Sequence, residues 1–253
     1  MDRIFAARNE AFMRLMVHLV AGFPSLAGFA EAARALRDGG AEILEIQIPF
    51  SDPTADGPAI TLASEAALRG GFKVKDIFQY IRAARRAGFQ RIFIMTYANI
   101  PYRYGIKKYV VDLKKAGVEG LLVPDLPIED EENFYKLARQ NNIAPVPVGV
   151  VGMPEHRLRL LEPCRKLYIS LRGGTTGAET RISADVKKFL ARLAENHEVY
   201  GGFGITSAAQ VKALAPLVHA VVIGSYFTRT IQNAVREQKS IYQSVKTALK
   251  KLL

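Results

Sequence analysis

Ile43-Leu44-Glu45-Ile46-Gln47-Ile48-Pro49-Phe50-Ser51-Asp52-Pro53-Thr54-Ala55-Asp56-Gly57-Pro58-Ala59-Ile60 passes from an apolar run into a loop broken by proline and glycine. The first six residues are mostly β-branched or apolar and read as a short strand, which Pro49 ends by removing a backbone donor. Glu45 therefore stands in a strand, near its C-terminal end, among neighbours that make an unpaired charge costly. Such a residue needs either an outward salt bridge to a helix Lys or Arg, or a functional role with an altered pKa. Asp52 and Asp56, beside Pro and Gly, fit ordinary turn chemistry when taken alone.

The same unit, an apolar strand and then a segment with helical spacing, recurs on both sides of this stretch. Upstream, residues 16–20 form a strand, and Leu26, Phe29, Ala30, Ala33 and Leu36 keep helical spacing until Gly39-Gly40. Downstream, strands are predicted at 92–95, 121–123, 146–148, 167–170, 199–200 and 220–223. Helical patterns lie between them, among them Ile77, Tyr80, Ile81 and Ala84, and Val186, Phe189, Leu190 and Leu193. Ser207-Ala208-Ala209-Gln210 is a capping-box signature, and a final helix pair carries Phe227, Ile231, Ala234 and then Ile241, Val245, Ala248 and Leu249. Eight such units without a linker predict an α/β chain folded as a single (β/α)8 TIM barrel over residues 1–253, with a short N-terminal helix. An open doubly wound sheet is the alternative. Catalytic groups of a barrel sit at the C-terminal ends of the strands, where Glu45 and its loop lie.

At 253 residues and 49% hydrophobic content the chain can bury a large core. No stretch approaches about 18 uninterrupted apolar residues, and the N-terminus lacks a cleavable signal pattern. A cytoplasmic protein with no membrane contact is expected. Cys164 is the single cysteine, which excludes an internal disulfide; His18, His156, His197 and His219 show no ligand spacing, so no metal site is expected. The net charge of +11 is spread over many predicted helix exteriors, including Arg85, Arg86, Lys107, Lys108, Lys187 and Lys188. A solvated surface fits this pattern better than a nucleic-acid patch.

Glycines cluster after the last three strands: Gly173-Gly174-Thr175-Thr176-Gly177, Gly201-Gly202-Phe203-Gly204 and Gly224-Ser225. Glycine lets backbone N–H groups approach an anion, and Ser225 at a helix start adds the helix dipole and a hydroxyl donor. Barrels commonly bind phosphate at this place, so a phosphate-bearing substrate is expected.

PFSDPxADGP directly after an LE-x-x-I strand resembles the α subunit of tryptophan synthase. Tyr97-Ala98-Asn99, Val123-Pro124-Asp125-Leu126-Pro127, Gly174-Thr175-Thr176-Gly177, Gly202-Phe203-Gly204-Ile205 and Gly224-Ser225 follow in the family's order, so the resemblance spans nearly the whole chain. It implies cleavage of indole-3-glycerol phosphate to indole and glyceraldehyde 3-phosphate, a retro-aldol reaction without metal or organic cofactor. Glu45 matches the family's acid/base residue, which protonates indole C3 and removes the hydroxyl proton in turn. Asp56 matches the carboxylate that accepts the indole N–H, and Thr176 the loop residue that meets it on closure. Ile60, Tyr97 and Tyr168 match indole-pocket positions, for which plain core packing is the competing reading. Gly177, Gly204, Gly224 and Ser225 are expected to hold the phosphate.

The resemblance also implies a pyridoxal-phosphate β subunit as partner, with Asp52, Pro53, Asn99, Pro127 and Glu129 on segments facing it. Several positions depart from the family pattern. Gln47 stands where Gly is usual, His18 where an aromatic residue is common, Gly22-Phe23-Pro24 replaces a more usual Gly-Asp-Pro, and 150–153 lacks a Pro/Thr-rich segment. Strand alternation points Gln47 to the same side as Glu45, which predicts a crowded site and an amide bonded to the Glu45 carboxylate. A weakly catalytic phosphate-binding subunit that activates a β partner is therefore the alternative function, and a phosphate-sugar enzyme of altered specificity a further one.

Overall fold

The computed structural model describes residues 14–129, 133–171 and 182–253. The expected N-terminal helix and residues 173–177, with Thr176 and Gly177, lie outside them. Among the described residues the strands are β1 (Leu15–Val20), β2 (Ile43–Gln47), β3 (Arg91–Met95), β4 (Gly120–Leu122), β5 (Ala144–Pro145), β6 (Val148–Val150), β7 (Lys166–Ser170), β8 (Glu198–Gly202) and β9 (Ala220–Ile223). All pair in parallel, in the order β5-β4-β3-β2-β1-β9-β8-β7-β6.

The two ends of that order meet, because β5 and β6 are halves of one extended stretch. Val146 N–H donates to the Leu121 carbonyl on one side at 2.9 Å, and the Pro147 carbonyl accepts from Tyr168 N–H on the other at 3.0 Å. Pro147 has no N–H to give to a ladder, so the strand is split in two where the sequence predicts one strand at 146–148. The sheet thus closes as the expected eight-position barrel.

Alternation along the strands sorts the core into two layers. Met16, Ile43, Phe93, Met95, Leu122, Tyr200 and Val222 pack inside the barrel. Val17, Leu19, Leu44, Ile46, Ile94, Leu121, Ile169 and Val221 face the helices. Helix α1 (Leu26–Asp38) starts at Ser25, whose hydroxyl accepts from Gly28 N–H at 3.1 Å, and it buries Phe29, Ala32, Ala33 and Leu36. Each large apolar side chain so buried contributes about 2 kcal/mol.

Helix α2 (Pro58–Arg69) directly follows the PFSDPxADGP loop, with Pro58 at the first helical position where a missing N–H costs nothing. Periodicity did not predict it, because its buried face is mostly small: Ala59, Ile60, Ala63 and Ala67. The remaining helices are α3 (Ile77–Arg86), α4 (Asn99–Tyr104), α5 (Ile106–Lys115), α6 (Phe134–Gln140), α7 (Glu155–Leu161), α8 (Ala184–Ala194), α9 (Ala208–Leu214), α10 (Ser225–Arg236) and α11 (Ile241–Lys250).

A polar plug closes the N-terminal end of the barrel. Arg91 makes a bidentate pair with Glu119 at 2.9 and 2.6 Å and donates to the Tyr200 hydroxyl at 3.0 Å. Lys166 bridges Glu198 and Glu119, and His219 Nε2 lies 3.3 Å from Arg91. Burial pushes both carboxyl groups up, but Arg91 with Lys166 outweighs it at Glu119, and Lys166 with Arg165 helps to outweigh it at Glu198, so both lie below the usual range. This end carries the network that seals the barrel; the opposite end carries the cavity.

Candidate active site

His18 on β1 and Glu45 on β2 are register partners on adjacent strands, so both side chains point into the barrel at one height. His18 Nδ1 lies 3.6 Å from Glu45 Oε2, with 6% and 5% of the side chains exposed. The outward salt bridge that would have explained Glu45 without a function is not what the strand provides. Gln47, two residues on, is fully buried on the same face.

The loop after β2 folds back over the strand end. Ile48 N–H donates to the Met95 carbonyl at 2.9 Å, Ala55 N–H donates to the Tyr97 hydroxyl at 3.1 Å, and Phe50 stacks on Tyr97 with centroids 5.2 Å apart. Pinned in this way, the loop delivers Asp56 above Gln47, whose amide Nε2 donates to Asp56 Oδ2 at 2.6 Å. The amide therefore does not bond Glu45 as predicted. Same-face neighbours on a strand stand about 6.8 Å apart, and the returning loop supplies a nearer acceptor.

These groups open onto a cavity of about 300 Å³, a size suited to a small organic ligand. His18, Glu45, Gln47 and Asp56 form its polar side, while Ile60, Met95, Leu122, Val148 and Met153 supply apolar walls. Tyr168, Gly204, Gly224 and Ser225 also line it. Tyr97 is not among the lining residues; it is fully buried behind Asp56 and holds the loop.

Ser225 opens the three-turn helix α10, so its backbone N–H groups and dipole face the cavity beside Gly224. Gln232 of α10 donates to the Ala59 carbonyl at 2.9 Å, tying this helix to the start of α2. The loop through Gly204 is fixed by the predicted capping box: Gln210 Oε1 accepts from Thr206 and Ser207 N–H at 2.8 and 3.1 Å. Gly204 needs its glycine for a φ of +69°. Gly202 serves the barrel instead, since a Cβ there would come within 2.7 Å of Val222.

Phe203 also lines the cavity, with a φ of +101° that a bulky residue adopts only where its surroundings enforce it. Its place in the Gly202-Phe203-Gly204-Ile205 motif was the sole sequence signal for it. His18 was marked only as a departure from a pattern, since nothing in one strand reveals which residue stands beside it on the next.

Electrostatics in the cavity are set by burial and by the mutual proximity of its charges. Burial pushes Asp56 above the usual carboxylate range, against the Gln47 amide, His18 and the Tyr97 hydroxyl, which favour the charged form. Burial disfavours charge on His18, yet the Glu45 carboxylate, with Asp56 behind it, outweighs this and raises its pKa. Burial, then Glu45 and Asp56, push the Tyr168 phenol well up, so it is neutral. Two carboxyls, an imidazole and a phenol in an apolar pocket can move protons to and from a bound substrate, and the glycine and helix-start backbone can hold an anion.

Among the described residues, no group of three or more His, Cys, Asp or Glu side chains gathers as metal ligands, and no helix is long and apolar enough to cross a membrane.

Comparison with known proteins agrees with this geometry. The chain is 32% identical over 237 residues to the tryptophan synthase alpha chain of Streptomyces coelicolor, covering 92% of this chain and 88% of that one. It is 36% identical over 229 residues to that of Helicobacter hepaticus, covering 86% and 85%. Its fold matches a chain in a solved tryptophan synthase α2β2 complex from Pyrococcus furiosus with a TM-score of 0.82 at 30% identity, over 94% of this chain and 96% of that one. A tryptophan synthase structure from Mycobacterium tuberculosis matches with a TM-score of 0.79 at 27% identity, over 94% and 93%. The family model described as tryptophan synthase alpha chain spans residues 5–252, nearly the whole sequence, and the chain belongs to that family.

Proposed function

We propose that this chain cleaves indole-3-glycerol phosphate to indole and glyceraldehyde 3-phosphate, with Glu45 as the proton donor to indole C3 and the acceptor of the hydroxyl proton. Asp56, ionised, receives the indole N–H and stabilises the positive charge that develops on the ring. The observation that carries this reading is the convergence of Glu45 and Asp56 on one apolar cavity whose lining also includes Gly204, Gly224 and the start of α10. Ile60, Met95, Leu122 and Tyr168 offer the walls for a flat bicyclic ring, and the backbone at Gly204, Gly224 and Ser225 receives the phosphate. Thr176 and Gly177 belong to the same proposal by resemblance.

A β subunit is the proposed partner, as in the solved α2β2 complex. Asp52, Pro127 and Glu129 are exposed on the loops after β2 and β4 and Asn99 at the start of α4, with Pro53 half-buried beside Asp52, and this face would meet it. A phosphorylated substrate does not cross membranes unaided, which supports a cytoplasmic reaction.

The Gln47 to Asp56 bond favours the second reading, a weakly catalytic subunit that mainly activates its partner, because the amide occupies one oxygen of the carboxylate needed by indole. Indole release from indole-3-glycerol phosphate, measured with and without a β subunit, separates the two. Release by the chain alone that rises on adding the β subunit supports the lyase; no release in either condition supports the second reading.

A further inference from the structure

Besides the neutral Tyr168 phenol, the cavity holds an ionisable side chain that the two-carboxylate scheme does not use, His18. His18 faces Glu45 across the strand pair at 3.6 Å, and among the described residues this is Glu45's one ion-pair contact. The opposite nitrogen, Nε2, is buried without a hydrogen-bond partner. On the other flank of His18 lies Gly224: a Cβ built there would stand 3.4 Å from His18 Cβ and 3.8 Å from Cδ2. The ring therefore sits between the Glu45 carboxyl and the backbone of the anion cradle. Its charged neighbours among the described residues are Glu45 from β2 and Asp56 from the following loop, while Gly224, directly after β9, brings no charge.

A carboxyl group that must donate a proton at neutral pH faces a difficulty, because carboxylic acids ordinarily release theirs near pH 4. An imidazole in contact with it removes the difficulty, since the pair then holds one proton jointly and titrates as a unit. Resting on the lyase reading above, we propose that His18 is a positioning residue that holds the proton Glu45 delivers, the two side chains sharing one proton between Nδ1 and Oε2.

The cycle balances. The shared proton passes from the Glu45 carboxyl to indole C3, forming a C–H bond. The carboxylate takes the proton of the glycerol hydroxyl, the bond from C3 to the side chain breaks, and its electrons return to the ring as the carbonyl forms. The pair ends with the single proton it began with.

The shared proton is retained to higher pH than a lone carboxyl allows, and the raised pKa of His18 has the sign this requires. The pH profile of kcat/KM therefore falls on the alkaline side above pH 6.5 in the unaltered protein. In His18→Asn and His18→Phe that limb moves down by a unit or more, so the ratio of activity at pH 8 to that at pH 6 drops several-fold, with KM at pH 6 little changed. Profiles parallel to wild type in both variants overturn the proposal.

NMR titration of the His18 ring provides a readout independent of turnover. Its midpoint lies above 6.5 in the wild type and falls in Glu45→Gln; the same midpoint in both also overturns the proposal. Full indole release by Glu45→Gln would instead remove the acid/base assignment itself, and this inference with it.

Discussion

Gln47 Nε2 donates to Asp56 Oδ2 at 2.6 Å, and both side chains are buried. The family's usual residue at this strand position is Gly, so the amide takes space in the cavity as well as one carboxylate oxygen. Gln47→Gly should therefore raise kcat/KM for indole release several-fold. Steady-state kinetics on the two proteins check this, and an unchanged or lower value in the variant would show that the amide is accommodated or useful.

Asp56 is destabilising in the ionised form, because burial raises its pKa over all the groups that oppose this. A raised carboxyl contributes stability that is full below its unfolded pKa and is lost as pH rises through the folded one. Asp56→Asn keeps an acceptor for the Gln47 amide and removes the buried charge. It should gain stability on the order of 1 kcal/mol, as removal of a buried functional charge commonly does, with the gain growing as pH rises. Its kcat should fall about 100-fold or more for loss of the charge opposite the indole ring. Urea unfolding at pH 5 and pH 8, with kinetics alongside, tests both; a less stable variant at pH 8 contradicts the first part.

At the other end of the barrel, Arg91→Ala leaves Glu119 without its bidentate partner and the Tyr200 hydroxyl with only the more distant donor, Lys166 Nζ at 3.5 Å. The pair is about one quarter exposed, at 27% and 29%. A cost of about 2 kcal/mol is expected, between the values for surface and buried ion pairs. Activity should survive at temperatures where the variant is folded, since catalysis in barrels belongs to the opposite face. Denaturant unfolding and an activity assay on one preparation check both statements.

Acid should unfold this protein partly through the same plug. Burial, with help from Arg14, Arg91 and Lys166 and against Glu198, pushes His219 down to about 4. A depressed folded pKa gives stability that is present above the unfolded value near 6.5 and is lost as pH falls through about 4. Stability should fall by on the order of 2 kcal/mol across that window, and His219→Gln should flatten the fall. Equal slopes for the two proteins in unfolding free energy between pH 7 and pH 4.5 would contradict it.

What was legible in the sequence follows from the range of each interaction. Strand β2, the stop at Gly39-Gly40 and the Ser207/Gln210 cap are local, and composition or spacing within a few residues determines them. Helix α2 was hidden because its buried side chains are mostly alanines, which carry little periodic signal. The polar plug was hidden because Arg91, Glu119, Lys166, Glu198 and His219 come from five different strands or their flanks, and only barrel closure brings them together. For the site, the resemblance marked Glu45 and Asp56, and the structure gathers both in one cavity. The Gln47 bond went to the wrong carboxylate, because a loop's return path is a tertiary fact that strand alternation does not contain.

The most direct test of the account is Glu45→Gln, which keeps the side chain's volume and removes its ability to carry a proton. Indole release should drop by 100-fold or more, while affinity for a phosphate-bearing ligand such as glycerol 3-phosphate stays within a few-fold of wild type. Retention of more than about a tenth of wild-type turnover, when an essential proton carrier should cost far more, would contradict the central claim that Glu45 moves the protons of the reaction.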